Sequence, residues 1–248
     1  ADFSEKFLGV PGIKGIKPEH EKFPGAVDTY CIEALMQDGK GLQAGTSHFL
    51  GQMFAKAFDV TYLSRENKPE YVWASSWGVT TRLVGALIMA HSDDDGLILP
   101  PTVAPHQVVI VPLGNKPADR ERVLTAADKI RQLLKEKGIR VKLDDDTNRR
   151  PGWKFAQYEL QGVPVRVVIG PRDLDKGMLE IARRDTKEKS SIEIEGAENH
   201  VAKLLEEIQQ NILQKALDFR AANTHQADNW EDFKSLIADK GGFVYDNL

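Results

Sequence analysis

The chain has 248 residues, of which 41% are hydrophobic and 28% are charged; this composition supports a folded core and excludes a disordered, collagen-like or disulfide-rich chain. Its 33 basic and 37 acidic residues give a formal net charge of −4, which excludes a protein that is strongly basic throughout. A single cysteine, the lack of a membrane-length apolar run and the lack of a secretory signal predict a cytoplasmic protein with no disulfide, cysteine-rich zinc site or membrane partner.

The first hundred residues show the signals of an antiparallel sheet with helices. Strands are predicted for residues 29–36, 41–46 and 71–79, and helices for residues 47–58 and 80–91. The Asp38-Gly39 pair is typical of a tight turn between two antiparallel strands. This pattern predicts an α+β arrangement for the first part of the chain.

The rest of the chain alternates strands with helices. Residues 99–107 contain three prolines, which neither continue a helix nor donate in a sheet, and we place a domain boundary there. Beyond it, strands are predicted for residues 107–113, 139–143, 163–169 and 178–183, and helices for 117–137, 153–160 and 199–221. The alternation predicts an α/β domain with a mixed, largely parallel sheet.

Charge is distributed unevenly along the chain. Residues 106–195 hold 19 basic and 15 acidic residues, net +4, whereas residues 1–105 and 196–248 are each net −4. A basic middle segment indicates contact with an anion, with RNA as one candidate. Charge alone leaves an ordinary solvated surface as the alternative.

Several common motifs for phosphate and metal binding are absent. The sequence contains no P-loop, no dinucleotide-binding glycine pattern and no zinc-protease motif. The acidic run after His91, residues 92–96 (SDDDG), lacks the spacing of a calcium-binding loop. We therefore expect it to be a turn that ends a helix, and we predict no metal site.

Two polar segments combine small residues with hydrogen-bonding side chains. They are residues 43–48 (QAGTSH) and 75–82 (SSWGVTTR), in which small residues allow close approach of a ligand to the backbone. Arg82 lies where a predicted strand meets a helix, a position suited to gripping a phosphate or stacking on a ring. The alternatives are a hydrogen-bonded histidine at a helix start for His48 and a surface ion pair for Arg82.

Three long runs resemble prolyl-tRNA synthetases of the archaeal/eukaryotic-like type. They are GLQAGTSHFLGQMFAKAF, SSWGVTTRLVGALIMAHSDDDGLILPPTVAPHQVVIVP and RRPGWKFAQYELQGVPVRVVIGPRDL. The resemblance extends from about residue 21 to 242 and implies a class II aminoacyl-tRNA synthetase. It implies part of an antiparallel-sheet catalytic domain at 1–105, an α/β anticodon-binding domain at 106–222, and a C-terminal extension at 223–248 that begins a further domain.

The resemblance also implies roles for individual residues. It assigns ATP binding to Gln43, Thr46 and Arg82, with Arg82 also catalytic, and Mg²⁺ as the accompanying ion. It assigns the proline pocket to His48, Ser76, Trp77 and Gly78. Activation of proline would need positioning and charge stabilisation more than a covalent nucleophile.

Residues for anticodon reading are chosen by their chemistry. The proline anticodons carry two guanines, whose N–H groups suit carboxylate acceptors, while the phosphates between them suit basic side chains. We select Arg150, Lys154, Glu159, Arg172 and Asp173. The alternative for each is a solvated charge or a local helix cap.

Motifs 1 and 2 of the class do not occur in this sequence. The resemblance therefore implies the C-terminal portion of a longer proline–tRNA ligase that acts on ATP, proline and tRNA(Pro) and forms a homodimer. We expect the present chain alone to be inactive in catalysis. The alternative is a stand-alone RNA-binding or regulatory module derived from a synthetase.

Overall fold

The computed structural model describes residues 1–114, 116–239 and 241–246. Two compact units divide these residues: unit 1 comprises 1–5, 10–90 and the described residues from 219 onward, and unit 2 comprises 6–9 and 91–218. The units therefore change at residues 5/6, 9/10, 90/91 and 218/219. The functional limits suggested at 105/106 and 222/223 stay predictions.

Unit 1 is built on a four-stranded sheet in the order β1-β2-β3-β6, in which every neighbouring pair is antiparallel. Its strands are β1 (Gly12–Ile16), β2 (Asp28–Leu35), β3 (Gly41–Gly51), β4 (Thr61–Leu63), β5 (Pro69–Tyr71) and β6 (Ala74–Gly78). Helix α1 (Asp2–Leu8) precedes the sheet, and a short 3₁₀ turn at Glu19–Glu21 lies between β1 and β2. Helix α2 (Met53–Ala57) follows β3, and helix α3 (Arg82–His91) follows β6. Strands β4 and β5 form a separate antiparallel pair.

Two predictions in unit 1 were wrong in their limits. The predicted helix at 47–58 is strand as far as Gly51, and only Met53–Ala57 is helical. The predicted strand at 71–79 is two strands, with only Ala74–Gly78 paired to β3. The long β3 forms because it pairs on both sides, with β2 and with β6, and this tertiary pairing outweighs local helix preference.

The turn between β2 and β3 follows the prediction. Gly39 adopts a φ of +77°, a left-handed conformation that glycine reaches without a steric penalty. The N–H of Met36 donates to the carbonyl of Lys40 at 2.9 Å and closes the turn.

Unit 2 contains a five-stranded mixed sheet in the order β11-β10-β9-β7-β8. Its strands are β7 (Val108–Pro112), β8 (Val141–Leu143), β9 (Val165–Ile169), β10 (Met178–Arg183) and β11 (Lys189–Glu193). Its helices are α4 (Pro117–Glu136), α5 (Pro151–Leu160), α6 (Pro171–Asp175) and α7 (Ala197–Ala222), the last of which reaches residues assigned to unit 1. Strands β7, β8 and β9 are parallel, whereas β10 and β11 add in antiparallel orientation, so the sheet is mixed and less parallel than the alternation alone predicts.

The core of unit 2 follows the alternation of side chains along β7. Val108 and Ile110 pack in one apolar cluster with residues of α4 and α7, and Val109 and Val111 pack in another with Tyr158 of α5. Helices therefore cover both faces of the sheet, as an α/β architecture requires. This arrangement places the beginnings of α4, α5 and α6 after the carboxyl ends of β7, β8 and β9.

The C-terminal residues belong to unit 1. They form β12 (Thr224–Ala227), α8 (Trp230–Asp239) and β13 (Phe243–Asp246), and β12 and β13 are parallel neighbours. The N–H of Gly242 donates to the carbonyl of Gly39 at 2.8 Å, which attaches this segment to the β2–β3 turn. Within the described residues, no helix has the length and apolar character needed to cross a membrane.

Candidate functional site

The sheet of unit 1 brings five of the predicted ligand-binding residues onto one face. Thr46 pairs with Gly78 and His48 pairs with Ser76 in the register between β3 and β6. Directly paired residues of an antiparallel sheet project to the same face, and successive residues alternate. We call this surface the His48 face; it carries Gln43, Thr46, His48, Ser76 and Gly78.

A β-bulge is what keeps Gln43 on the His48 face. Gly45 pairs with Ile32 and Gln43 pairs with Glu33, so Ala44 is left as the extra residue on β3. Without the bulge, the odd-numbered Gln43 would lie on the face opposite to Thr46. The sequence contained no signal for this bulge.

Arg82 begins α3 directly after the polar end of β6. Its Nη1 lies 3.5 Å from the carbonyl oxygen of Gln43, and its N–H donates to Thr80 Oγ1 at 3.2 Å. The side chain is exposed, so most of its five N–H donors remain available for a ligand. Arg82 thus lies beside the backbone of the QAGTSH segment.

His48 lies in the middle of strand β3, and the idea of a histidine at a helix start was wrong. Its Nδ1 and Thr29 Oγ1 are 3.0 Å apart, and its ring centroid is 5.2 Å from that of Phe23. Thr29 is buried. The hydroxyl and the phenyl ring therefore fix the orientation of the imidazole.

Trp77 is the exception among the residues proposed for the proline pocket. It pairs with Ser47, and by alternation it projects to the face opposite His48. It is 79% exposed and lines an open cavity of about 800 Å³, which Tyr30, Ile32, Thr46 and Gly78 also line. The structure therefore does not bring Trp77 together with His48.

The five residues proposed for anticodon reading all lie in unit 2, but not in one place. Arg150 precedes α5, Lys154 lies in its first turns, and Arg172 and Asp173 lie at the start of α6. These four are near the carboxyl edge of the parallel strands. Glu159 instead pairs with Arg166 near the amino end of β9, which is about 10 Å along that strand from its carboxyl end at about 3.3 Å per residue.

Lys154 is buried, with 4% of its surface exposed. Its Nζ donates to Asp144 Oδ1 at 2.8 Å and to the Asp144 carbonyl at 3.1 Å, while Tyr158 Oη donates to Asp144 Oδ2 at 2.9 Å. We call these three residues the Asp144 network. The network holds two of the three N–H donors of the ammonium group on Asp144, so Lys154 is tied to the interior of the domain.

The Asp144 network shifts two pKa values. Burial alone would raise the pKa of Asp144, but the hydrogen bonds from Lys154 and Tyr158 outweigh it and hold the pKa below its ordinary value. Burial and the hydrogen bond to Asp144 raise the pKa of Tyr158 above its ordinary value. The network therefore has an ionised carboxylate and a neutral phenol at neutral pH.

Glu159 and Asp173 also have partners within unit 2. Glu159 Oε1 accepts from Arg166 Nη1 at 2.7 Å, and the Arg166 guanidinium lies 4.0 Å from the ring centroid of Phe155. Asp173 Oδ2 accepts from the N–H of Gly170 at 3.0 Å and caps α6. Arg150 and Arg172 are exposed, and the side chain of Glu159 is also 45% exposed, whereas Lys154 is enclosed.

Sequence reasoning missed Arg166, Phe155, Asp144 and Tyr158. One signal was available for Arg166, since an arginine inside the β-branched run VRVVI must be paired if that strand is buried. No local signal linked Asp144 to Lys154 and Tyr158. That link depends on α5 packing against the sheet.

The acidic run after α3 forms a turn that ends the helix, as predicted. Asp93 accepts from the buried Arg184, whose Nη1 lies 3.0 Å from Asp93 Oδ2. This hydrogen bonding holds the pKa of Asp93 well below its usual range. Among the described residues, no group of three His, Cys, Asp or Glu side chains is arranged to hold a metal ion.

Comparisons with known proteins identify a matching domain family and several similar proteins. The family model described as the anticodon binding domain matches residues 107–204. Proteins named proline–tRNA ligase are 55% identical in Porphyromonas gingivalis, 56% in Parabacteroides distasonis and 53% in Flavobacterium johnsoniae, each over 98% of this chain.

The chain spans about half the length of the curated relatives it matches, 49% or 50% for these three, and corresponds to their C-terminal half. All three relatives come from bacteria, so the match does not support the archaeal/eukaryotic-like qualifier of the resemblance. The residues that match the anticodon binding domain include all five strands of the mixed sheet of unit 2. The alignment with the relatives covers 98% of this chain and therefore also includes the antiparallel sheet of unit 1. The chain is therefore similar along nearly its whole length to the C-terminal half of proline–tRNA ligases, and its residues 107–204 match an anticodon binding domain.

Proposed function

We propose that this chain is the part of a proline–tRNA ligase that completes its ATP and proline site and binds the anticodon of tRNA(Pro). The observation that carries the proposal is identity of about 55% across 244 residues to proteins of that name. The whole enzyme would activate proline with ATP and transfer it to the 3′ end of the tRNA. Such a role places the protein in the cytoplasm, with the full-length enzyme as a homodimer.

Unit 1 would hold ATP and proline on the His48 face. Arg82, beside the Gln43 carbonyl, offers planar N–H donors that suit a triphosphate or an adenine ring. Gln43 and Thr46 lie on the same face as His48, which Thr29 orients. These groups favour a ligand with an anionic part near Arg82 and a small part near His48.

In activation, a carboxylate oxygen of proline attacks the α-phosphorus of ATP and the bond from that phosphorus to the bridging oxygen breaks. Pyrophosphate leaves, and a tRNA hydroxyl then attacks the prolyl carbonyl and releases AMP. Arg82 would stabilise negative charge that develops on the phosphates, and the His48 face would hold the reacting groups in register.

Magnesium accompanies ATP in the resemblance, but the described residues do not fit a magnesium site of their own. They contain no suitable group of three His, Cys, Asp or Glu side chains. We therefore assign no residue to the ion and route no step through it.

The test uses the full-length protein and proline-dependent ATP–pyrophosphate exchange. We expect Arg82→Ala to lower kcat/KM by about 100-fold or more, because removing one preorganised donor from a transition state costs on that order. Arg65→Ala, which changes an exposed arginine elsewhere in unit 1, is the matched control. Exchange that depends on another amino acid, or an undiminished rate in Arg82→Ala, would contradict the proposal.

The 248-residue chain alone is the second arm of this test. We expect it to bind tRNA(Pro) without catalysing exchange. Exchange at the rate of the full-length enzyme would show that these residues are sufficient for catalysis and would overturn the division of roles.

A further inference from the structure

An arginine and a tryptophan stack on the surface of unit 2 at the start of α5. The guanidinium carbon of Arg149 lies 4.7 Å from the centroid of the Trp153 ring. Trp153 is 49% exposed, although burial of an indole ring is a large source of stability. A tryptophan left half exposed under a cation resembles the aromatic and arginine surfaces on which unpaired bases stack.

A groove lies beside Trp153, with a cavity of about 560 Å³, which is within the usual range for small-ligand pockets. The residues that line it include Trp153, Gln157, Gln161, Lys142 and the three aspartates at 144–146. Carboxylate and amide groups can accept from, or donate to, the edges of a base. We call this surface the Trp153 groove.

The Asp144 network forms the inner wall of the Trp153 groove. Asp144 and Tyr158 both line it, and Lys154 holds the Asp144 carboxylate and its carbonyl. Residues 144–150 connect β8 to α5 and include Arg149. Because Lys154 of α5 donates to the carbonyl of Asp144, the first residue of this connection is fixed relative to α5. The groove is therefore preorganised rather than assembled by the ligand.

We propose that the Trp153 groove is a binding site for one unpaired base of RNA, which stacks on Trp153, whose ring also contacts Arg149, while its edge meets the polar wall. The inference rests on the proposed function, since it names a contact within anticodon-loop binding. It also assigns Lys154 a positioning role in place of direct contact with RNA.

The experiment measures binding of the 248-residue chain to a labelled anticodon stem-loop of tRNA(Pro) by fluorescence anisotropy. Trp153→Leu should weaken binding by roughly 5- to 100-fold, which is the loss expected for one base–aromatic stack. Trp153→Phe should retain most of the affinity because a phenyl ring still stacks. Trp230→Leu is the matched control, since Trp230 is 57% exposed and stacks on Phe233 in unit 1.

A double-mutant cycle identifies the base. One unpaired nucleotide of the loop at a time is made abasic, and each RNA is measured against wild type and Trp153→Leu. At one position the two losses should fail to add, because base and ring are partners. Additive losses at every unpaired position would overturn the inference.

The two proposals fail in different ways. If wild type binds the stem-loop and Trp153→Leu binds it equally well, the Trp153 groove is not a base site and the proposed function stands. If wild type binds no stem-loop, anticodon recognition by this chain is refuted, and the inference falls with it. Circular dichroism of each variant checks that the fold is retained.

Discussion

At the scale of single residues, burial separates the charges that stabilise unit 2 from those that face solvent. Lys154 and Arg166 are basic residues within a basic segment, yet both are buried and paired with carboxylates. Arg150 and Arg172 are exposed. Residue type alone could not make this distinction, because burial is decided by the helix and sheet that pack around each side chain.

Lys154→Met tests the Asp144 network. The variant leaves an ionised carboxylate in a half-buried site without its ammonium partner, and breaking a buried pair costs about 3–5 kcal/mol; partial exposure of Asp144 brings the expected loss towards the lower end of that range. Chemical denaturation measures the free energy of unfolding.

Lys203→Met is the control for this change, because Lys203 is an exposed lysine that lies 3.6 Å from Glu207 on α7. Exposed pairs contribute only about 0.2–1 kcal/mol, so its loss should be small. Equal losses in the two variants would contradict a structural role for Lys154.

At the scale of elements, local patterns predicted the helices and strands of unit 2 well. The predicted helix at 117–137 is observed as Pro117–Glu136, with proline at its start and Gly138 at a φ of +75° after its end. These are local stop and start signals. Strand β11 was missed, because its residues are mostly exposed and polar and it forms by pairing with β10.

The candidate site was predicted in its residues but not in its geometry. The motifs located Gln43, Thr46 and His48, but a helix was expected from residue 47 onward. Only the pairing of β3 with β6 places His48 opposite Ser76 and sends Trp77 to the other face. Such pairing joins residues that are about 30 positions apart, so no local pattern encodes it.

The end of α3 gives unit 2 a pH-dependent element. His91 Nε2 lies 2.8 Å from the carbonyl oxygen of Leu8, and burial lowers the pKa of His91, with partial compensation from this hydrogen bond. The folded state therefore binds fewer protons than the unfolded state below about pH 6.5, the ordinary histidine value. Stability should fall as the pH drops below that value.

His91→Gln should reduce this dependence. Between pH 7.5 and 5.5, the free energy of unfolding of wild type should decrease more steeply than that of the variant, by up to about 1.4 kcal/mol per pH unit for one group. Urea denaturation at several pH values measures the two slopes. His20→Gln, which changes an exposed histidine, should keep the wild-type slope; equal slopes for wild type and His91→Gln would contradict the assignment.

At the scale of the whole molecule, the charge distribution predicts how affinity for RNA depends on salt. Exposed basic residues at the carboxyl edge of the unit 2 sheet would release counterions when they meet phosphates. Arg150→Ala and Arg172→Ala should each reduce the slope of log K against log salt by about 1. Titration of the anticodon stem-loop at several salt concentrations measures this slope.

Lys154→Met provides the contrast for the salt experiment. Because its ammonium is bound to Asp144, its replacement should weaken binding without changing the slope. A slope reduced by about 1 in Lys154→Met would place Lys154 at a phosphate and contradict the positioning role.

Local sequence patterns were enough to predict the two fold classes, most helices and strands of unit 2, the polar segments at 43–48 and 75–82, and the resemblance that the comparisons bear out. These features depend on local chemistry: periodicity, turn residues and contiguous motifs. The tertiary structure decided that the C-terminal segment attaches to unit 1, that a bulge at Ala44 keeps Gln43 on the His48 face, and that Lys154 is enclosed. Each of these depends on contacts between residues far apart in the chain, where register and burial are set by the packing of whole elements.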